Sequence, residues 1–210
     1  MKFKNSILPV FAAAMIFMSC DDGKKKAAEM QAEKEKMELE EVKIKAEEEA
    51  KILEMKKMEI KESSIVSKAA ANPNYSTLVQ VLKSAGLAET FMEEGEYTVF
   101  APSNMAFSKV PITTMEILMK VNNKEKLQNL LKYHVVKGKW KAEAVVKAIT
   151  DNDNAYNITT MAGDNLVLSV KDGKVMVKDA KGNMATVTDA DMGASNGVMH
   201  GIDKVLMPEM

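Results

Sequence analysis

The stretch from Ala194 to Pro208 constrains the fold more than any other part of the chain. Asn196-Gly197 is a strong turn signal, because both residue types tolerate positive φ. The residues after it alternate, which puts Val198, His200 and Ile202 on one face of a strand. Pro208 has no N–H to give to a ladder and so marks the end of the run. A buried terminal strand forms only when the preceding chain has supplied its neighbours. The stretch is therefore read as the strand that closes a small domain.

Charge and residue usage limit what that domain can be. The chain has 210 residues, with 29 basic and 30 acidic, which suits one ordinary domain plus extensions. Near-neutral charge argues against a nucleic-acid partner. Every basic residue is a lysine, so the planar fork that grips phosphate or guanine in bidentate fashion is missing throughout. The single cysteine excludes an intramolecular disulfide. The 18 methionines read as adaptable core filler rather than as metal ligands.

Lys2 and Lys4 precede an apolar run from Ile7 to Met18. That run is too short to span a bilayer and suits the hydrophobic region of a signal peptide over residues 1–19. It ends in Ser19-Cys20, which resembles the lipobox of bacterial lipoproteins. The resemblance implies that Cys20 becomes the first mature residue and is acylated, anchoring the chain in a membrane. Each buried CH₂ of an acyl chain contributes ~0.8 kcal/mol to such attachment. Asp21 and Asp22 resemble lipoprotein sorting signals, whose meaning differs between inner-membrane retention and surface export. The implied location is the cell envelope, with the domain facing either the surface or the periplasm.

Residues 20–64 read as a charged stalk. From Lys24 to Glu62 there is no Gly and no Pro, and Ala, Glu, Lys, Met and Leu dominate. Glu41–Lys45 and Glu47–Lys51 are spaced i, i+4 in the favoured order. A continuous helix here would reach ~60 Å. Met30, Met37, Ile44 and Met58 keep a seven-residue spacing, but their partners in the repeat are Glu33, Glu40, Glu47 and Lys61, a poor coiled-coil seam. A solvated single helix and a frayed charged linker are the two readings, and either would hold a domain off a membrane.

Residues 65–210 read as one compact α+β domain, with helices against a mostly antiparallel sheet. Leu78, Val81, Leu82 and Ala85 repeat at helical spacing, and Gly86 is placed to end that helix. Thr113 or Thr114 is the expected cap of a helix carrying Met115, Leu118 and Met119. Asn122 or Asn123 is the expected cap of the next, with Leu127, Leu130, Leu131 and His134 on one face and Tyr133 near its surface end. Ala142 to Ile149 reads as a further helix. Leu166–Val170 and Lys174–Lys178 flank Asp172-Gly173, a clear hairpin, and Met184–Thr188 continues the sheet.

Four segments in this region resemble the fasciclin (FAS1) domain. Tyr97-Thr98-Val99-Phe100-Ala101-Pro102-Ser103-Asn104-Met105-Ala106-Phe107 is similar to its first signature, and Tyr133-His134 to its central pair. Ala194 to Pro208 is similar to its second signature, and Asn72-Pro73-Asn74-Tyr75-Ser76-Thr77-Leu78 to its opening. All four stand in the family's order. Departures are Asn74 for the usual aspartate, Met105 for an acidic residue and Gly201 for a larger one. The resemblance implies a β-sheet wedge surrounded by helices, acting in adhesion or envelope-associated binding without catalysis.

The candidate chemistry is thin. His134 and His200 are the only histidines, and both fall inside signature segments. A zinc site needs three or four ligands, and no cysteine cluster or HExxH pattern accompanies them. Core histidines satisfied by hydrogen bonds are the preferred reading; a metal-dependent enzyme using both is the runner-up. Ser103 and Ser195 lack a nucleophile-elbow context, and Ser103-Asn104 after Pro102 reads as turn and capping chemistry. No glycine-rich phosphate loop is present, and no cofactor or catalytic residue is expected. Binding residues implied by the family motifs are Asn104, Tyr133, His134, Asn196 and His200. The expected contact surface lies near the Tyr133-His134 helix end and the Asn104-to-Pro111 loop. The expected partners are a membrane, through Cys20, and an extracellular or envelope protein or polysaccharide. A third reading is a structural envelope protein that acts through partner helices on the stalk.

Overall fold

The computed structural model describes residues 22–209; Cys20 and the apolar run before it lie outside them. The chain divides into two units between Ile52 and Leu53. Asp22–Glu62 is one continuous α-helix of 41 residues, α1, not a frayed linker. Side chains from Met30 to Glu59 are all exposed, so helix propensity supports this helix rather than burial. No described helix is long and apolar enough to cross a membrane.

Ser64 caps the short helix α2 (Ile65–Ala71) by accepting the Ser67 N–H at 3.3 Å. α3 (Ser76–Ala85) presents Leu78, Val81 and Leu82 inward and ends at Gly86 in the left-handed region, φ 71°. That is the conformation in which glycine carries no Cβ penalty. Ser103 caps α4 (Asn104–Ser108), so this segment is a helical turn rather than a loop. α5 (Ile112–Leu118) starts after Pro111, with Thr113 and Thr114 inside it rather than capping it. Proline's preset φ suits a helix start, and no side-chain cap is used there. α6 (Lys124–Tyr133) follows Asn123, whose amide donates to the Ile117 carbonyl at 2.7 Å instead of capping. α7 (Ala142–Asp151) completes the set.

Seven strands form one sheet in the order β2-β1-β7-β6-β5-β4-β3. They are β1 (Tyr97–Pro102), β2 (Val135–Lys137), β3 (Tyr156–Thr159), β4 (Asn165–Lys171), β5 (Lys174–Lys178), β6 (Met184–Ala194) and β7 (Gly197–Ile202). Only β1 and β7 pair in parallel. Asp172 and Gly173 both take positive φ, 52° and 73°, as a two-residue β4–β5 turn requires. Beyond β3, Thr160 bridges Val136, and the Met161 N–H donates to the Val135 carbonyl at 2.7 Å. The two edges of the sheet thus meet, which leaves less open edge for pairing with another chain.

β7 is buried along its whole length, as a closing strand should be. It stops at Ile202 rather than at Pro208. Asp203 there gives its N–H to Thr186 and takes the Thr186 N–H on its carboxylate at 2.7 Å, replacing the next rung of the ladder. β6 runs on six residues past Thr188, through two register shifts, with Asp191 at φ 57°. Alternation then sorts the sheet's two faces. Val99, Ala101, Val135 and Met199 join α2, α3 and α6 in one core. Phe100, Val136, Ile202 and Leu206 join α7 and β3–β6 in the other.

Candidate functional site

The residues singled out by the signatures turn inward. Asn104 opens α4 and reaches across to the start of α3. Its Oδ1 accepts the Thr77 N–H at 3.0 Å, and its Nδ2 donates to the Pro73 carbonyl at 2.8 Å and to Ser76 Oγ at 3.0 Å. α3 has no cap of its own, since Tyr75 occupies that position, so Asn104 supplies one from another segment. Asn74 does not cap; its own N–H is held by Asn72 Oδ1 at 3.0 Å.

Asn196 is buried and bonds three backbone groups. Its Oδ1 accepts the Ile65 N–H at 2.9 Å, and its Nδ2 donates to the carbonyls of Phe91 and Glu93 at 2.8 and 2.9 Å. Ser195 and Asn196 are the two hairpin loop residues, because Ala194 pairs with Gly197. Neither takes positive φ, contrary to the turn first inferred from Asn196-Gly197. Gly197 is needed for space instead. A Cβ there would collide with the Tyr97 carbonyl oxygen and come within 2.8 Å of Ile65 Cδ1.

The two histidines hold opposite tautomers, assigned from their partners. His134 Nδ1 donates to the Leu130 carbonyl at 2.8 Å, and Nε2 accepts the Leu206 N–H at 2.9 Å. His200 Nε2 donates to the Trp140 carbonyl at 2.8 Å, and Nδ1 accepts the Asp191 N–H at 3.2 Å. Each ring's one lone pair is therefore already used. Burial pushes the His134 pKa down to about 4, against smaller upward pulls from the Leu130 carbonyl and Asp179. His134 is not on the leucine face of α6, because the helix ends one residue earlier. Tyr133 is fully buried rather than near the surface. Its hydroxyl accepts the Ala180 N–H at 2.9 Å and donates to the Asn165 carbonyl at 3.3 Å, and burial raises its pKa.

Three structural carboxylates escaped the sequence reading. Buried Asp179 accepts from Asn183 N, Asn183 Nδ2 and Met207 N, at 2.7, 2.9 and 2.9 Å. Asp191 caps α7 from β6 by accepting the Ala142 N–H at 2.8 Å. Asp189 accepts from the Tyr75 hydroxyl at 3.2 Å; burial, with this carboxylate adding to it, pushes the Tyr75 pKa up to about 12. The Asp179-to-Asn183 turn, with Gly182 between, carried a local signal; the other two did not.

Chemically, the arrangement is a scaffold. Among the described residues no group of three His, Cys, Asp or Glu is placed to hold a metal ion. Ser195 Oγ donates to the Ile60 carbonyl at 2.7 Å, so it is tied to structure as well. What faces solvent is different. Met105, Ile112 and Val121 are 74, 76 and 88% exposed. A hollow of about 430 Å³ carries Lys68, Lys139 and Lys141.

These features define the class: an α+β scaffold domain whose motif residues are spent on its own backbone. The fasciclin domain model matches residues 73–208. The chain belongs to the fasciclin family. It is 46% identical over 147 residues to protein sll1483 of Synechocystis sp., covering 70% of this chain and 74% of that one. It is 38% identical over 135 residues to the transforming growth factor-beta-induced protein ig-h3 of Sus scrofa, covering 64% of this chain but only 18% of that protein. In structure it resembles a FAS1 domain pair from the insect cell adhesion molecule fasciclin I. The TM-score is 0.62 at 16% identity, over 70% of this chain and 51% of that one.

Proposed function

We propose that this protein is a non-catalytic adhesion or binding module of the cell envelope, anchored through an acylated Cys20 and carried on α1. One observation carries the reading. The fasciclin scaffold spends its signature polar groups internally and keeps both imidazole lone pairs occupied. A domain so built offers surfaces rather than reactive groups. The adhesion role of the insect relative supports the same direction. The Ser19-Cys20 motif and the long charged helix support an anchored, spaced placement. Tyr133 and His134 are buried, so partner contact falls on other residues of the domain.

Metabolic labelling with palmitate, on wild type and Cys20→Ser, tests the anchor. The variant should lose label and leave the membrane fraction. Protease treatment of intact cells then tests placement, and cleavage of the domain is the expected result for a surface protein. Failure of the purified domain to retain cells, envelope polymers or matrix would remove the basis for adhesion.

A further inference from the structure

A basic hollow of about 430 Å³ lies where the β6–β7 hairpin meets α2 and the start of α7. Its lining includes Ser63, Lys68, Lys139, Lys141, Gly193 and Ser195. The three lysines come from two segments: Lys68 from α2, and Lys139 and Lys141 from the short connection between β2 and α7. Among the described residues none of them is in an ion pair, the two that form being Lys109–Asp203 and Lys147–Asp151. The one acid in the lining, Asp191, has Oδ1 committed to the Ala142 N–H. An adjoining hollow carries Glu94 and Glu96 and limits the basic strip on that side.

Gly193 gives a second, independent observation. It has no left-handed φ, and a Cβ built on it meets nothing within 4 Å. Glycine in a strand interior costs stability relative to a residue with a side chain. Neither conformation nor packing asks for it here, unlike Gly197. Gly193 is exposed and lines the hollow, so the missing side chain leaves its backbone open there, which is what close approach by a ligand requires.

We propose that this hollow binds an acidic polysaccharide, with sugar-borne carboxylates set on Lys68, Lys139 and Lys141 and sugar hydroxyls donating to Ser63 Oγ, whose own proton goes to the Glu59 carbonyl, beside the open backbone at Gly193. The chemistry of the lining selects this class. Lysine ammoniums are point charges that suit anions spaced along a chain. The lining has no aromatic residue on which bases could stack. Its apolar content, Ala194 and Val198, is too small for lipid tails. The inference deepens the adhesion reading by naming a site and a partner class. It is tested on purified protein, so its failure is separate from failure of the membrane placement.

The probe is a polyuronate oligomer, with neutral dextran and poly-glutamate as controls, titrated against the full chain. Binding to polyuronate and not to dextran is expected, weakening steeply as salt rises from 50 to 200 mM (roughly the range over which ion screening grows). Gly193→Val should keep or raise the melting temperature yet weaken binding at least tenfold. Lys68→Ala/Lys139→Ala/Lys141→Ala should abolish it, while Lys178→Ala on β5 leaves it unchanged. The proposal is overturned if polyuronate does not bind, or if Gly193→Val binds as wild type does. It is also overturned if poly-glutamate binds as tightly as the glycan, which would make the partner an acidic peptide.

Discussion

The proton of His134 sits on Nδ1, because that nitrogen faces the Leu130 carbonyl while Nε2 faces the Leu206 N–H. With its pKa at about 4 in the fold and ~6.5 when unfolded, protonation favours the unfolded chain. Stability from this group is complete above pH ~6.5 and is lost as pH falls toward 4, by on the order of 3 kcal/mol. Melting temperature against pH should show that acid limb, and His134→Leu should flatten it. The variant also leaves two buried backbone groups unpaired, which costs about 2–4 kcal/mol at neutral pH. Chelation by EDTA should leave the melting temperature unchanged, since neither imidazole has a lone pair to give. Gly201 argues from space. A Cβ there would collide with the Tyr75 hydroxyl and lie 3.0 Å from Asp189 Oδ2. The departure from the family's larger residue at this position thus goes with the Tyr75–Asp189 bond. Gly201→Ala should lower stability by about 1–3 kcal/mol, measured by urea titration.

Elements here are tied together by amide side chains that act at a distance. Asn104 caps α3 although it belongs to α4, and Asn196 ties the start of α2 to the Phe91–Glu93 turn. Asn104→Ala should cost about 1–2 kcal/mol, as loss of a helix cap does. Asn196→Ala removes three buried bonds and should cost more, about 2–4 kcal/mol, read from denaturant midpoints. Both asparagines stood out in the sequence, Asn104 with Ser103 as local turn and capping chemistry and Asn196 as a turn residue, but neither as a clamp on a distant segment. The periodic helices and the Asp172-Gly173 hairpin were legible, because spacing and turn chemistry are local. β3 was not, since its four residues alternate weakly between Tyr156 and Thr159. Nor was the long bulged course of β6, since its pairing with β7 is what holds its exposed polar residues in a strand.

At the scale of the molecule, the division between Ile52 and Leu53 separates two kinds of stability. A chain starting at Leu53 should unfold within about 2 °C of the full chain. A peptide covering residues 24–52 should be helical by circular dichroism and lose helicity with added salt, as i, i+4 ion pairs are screened. If α1 is a spacer, a length-matched helical replacement should keep function; a recognition helix would not tolerate it. The sequence by itself determined what depends on neighbours along the chain. That covers the helix-forming composition of the charged segment, the α+β class, the family and the burial of the closing strand. Only the tertiary structure decided what depends on approach between distant segments. It took Tyr133 and His134 away from the surface, turned Asn104 and Asn196 into backbone clamps, and brought Lys68 beside Lys139, Lys141 and Gly193. Hydrogen bonds and steric clashes act over a few ångströms, and no spacing along the chain says which distant atoms will come that close.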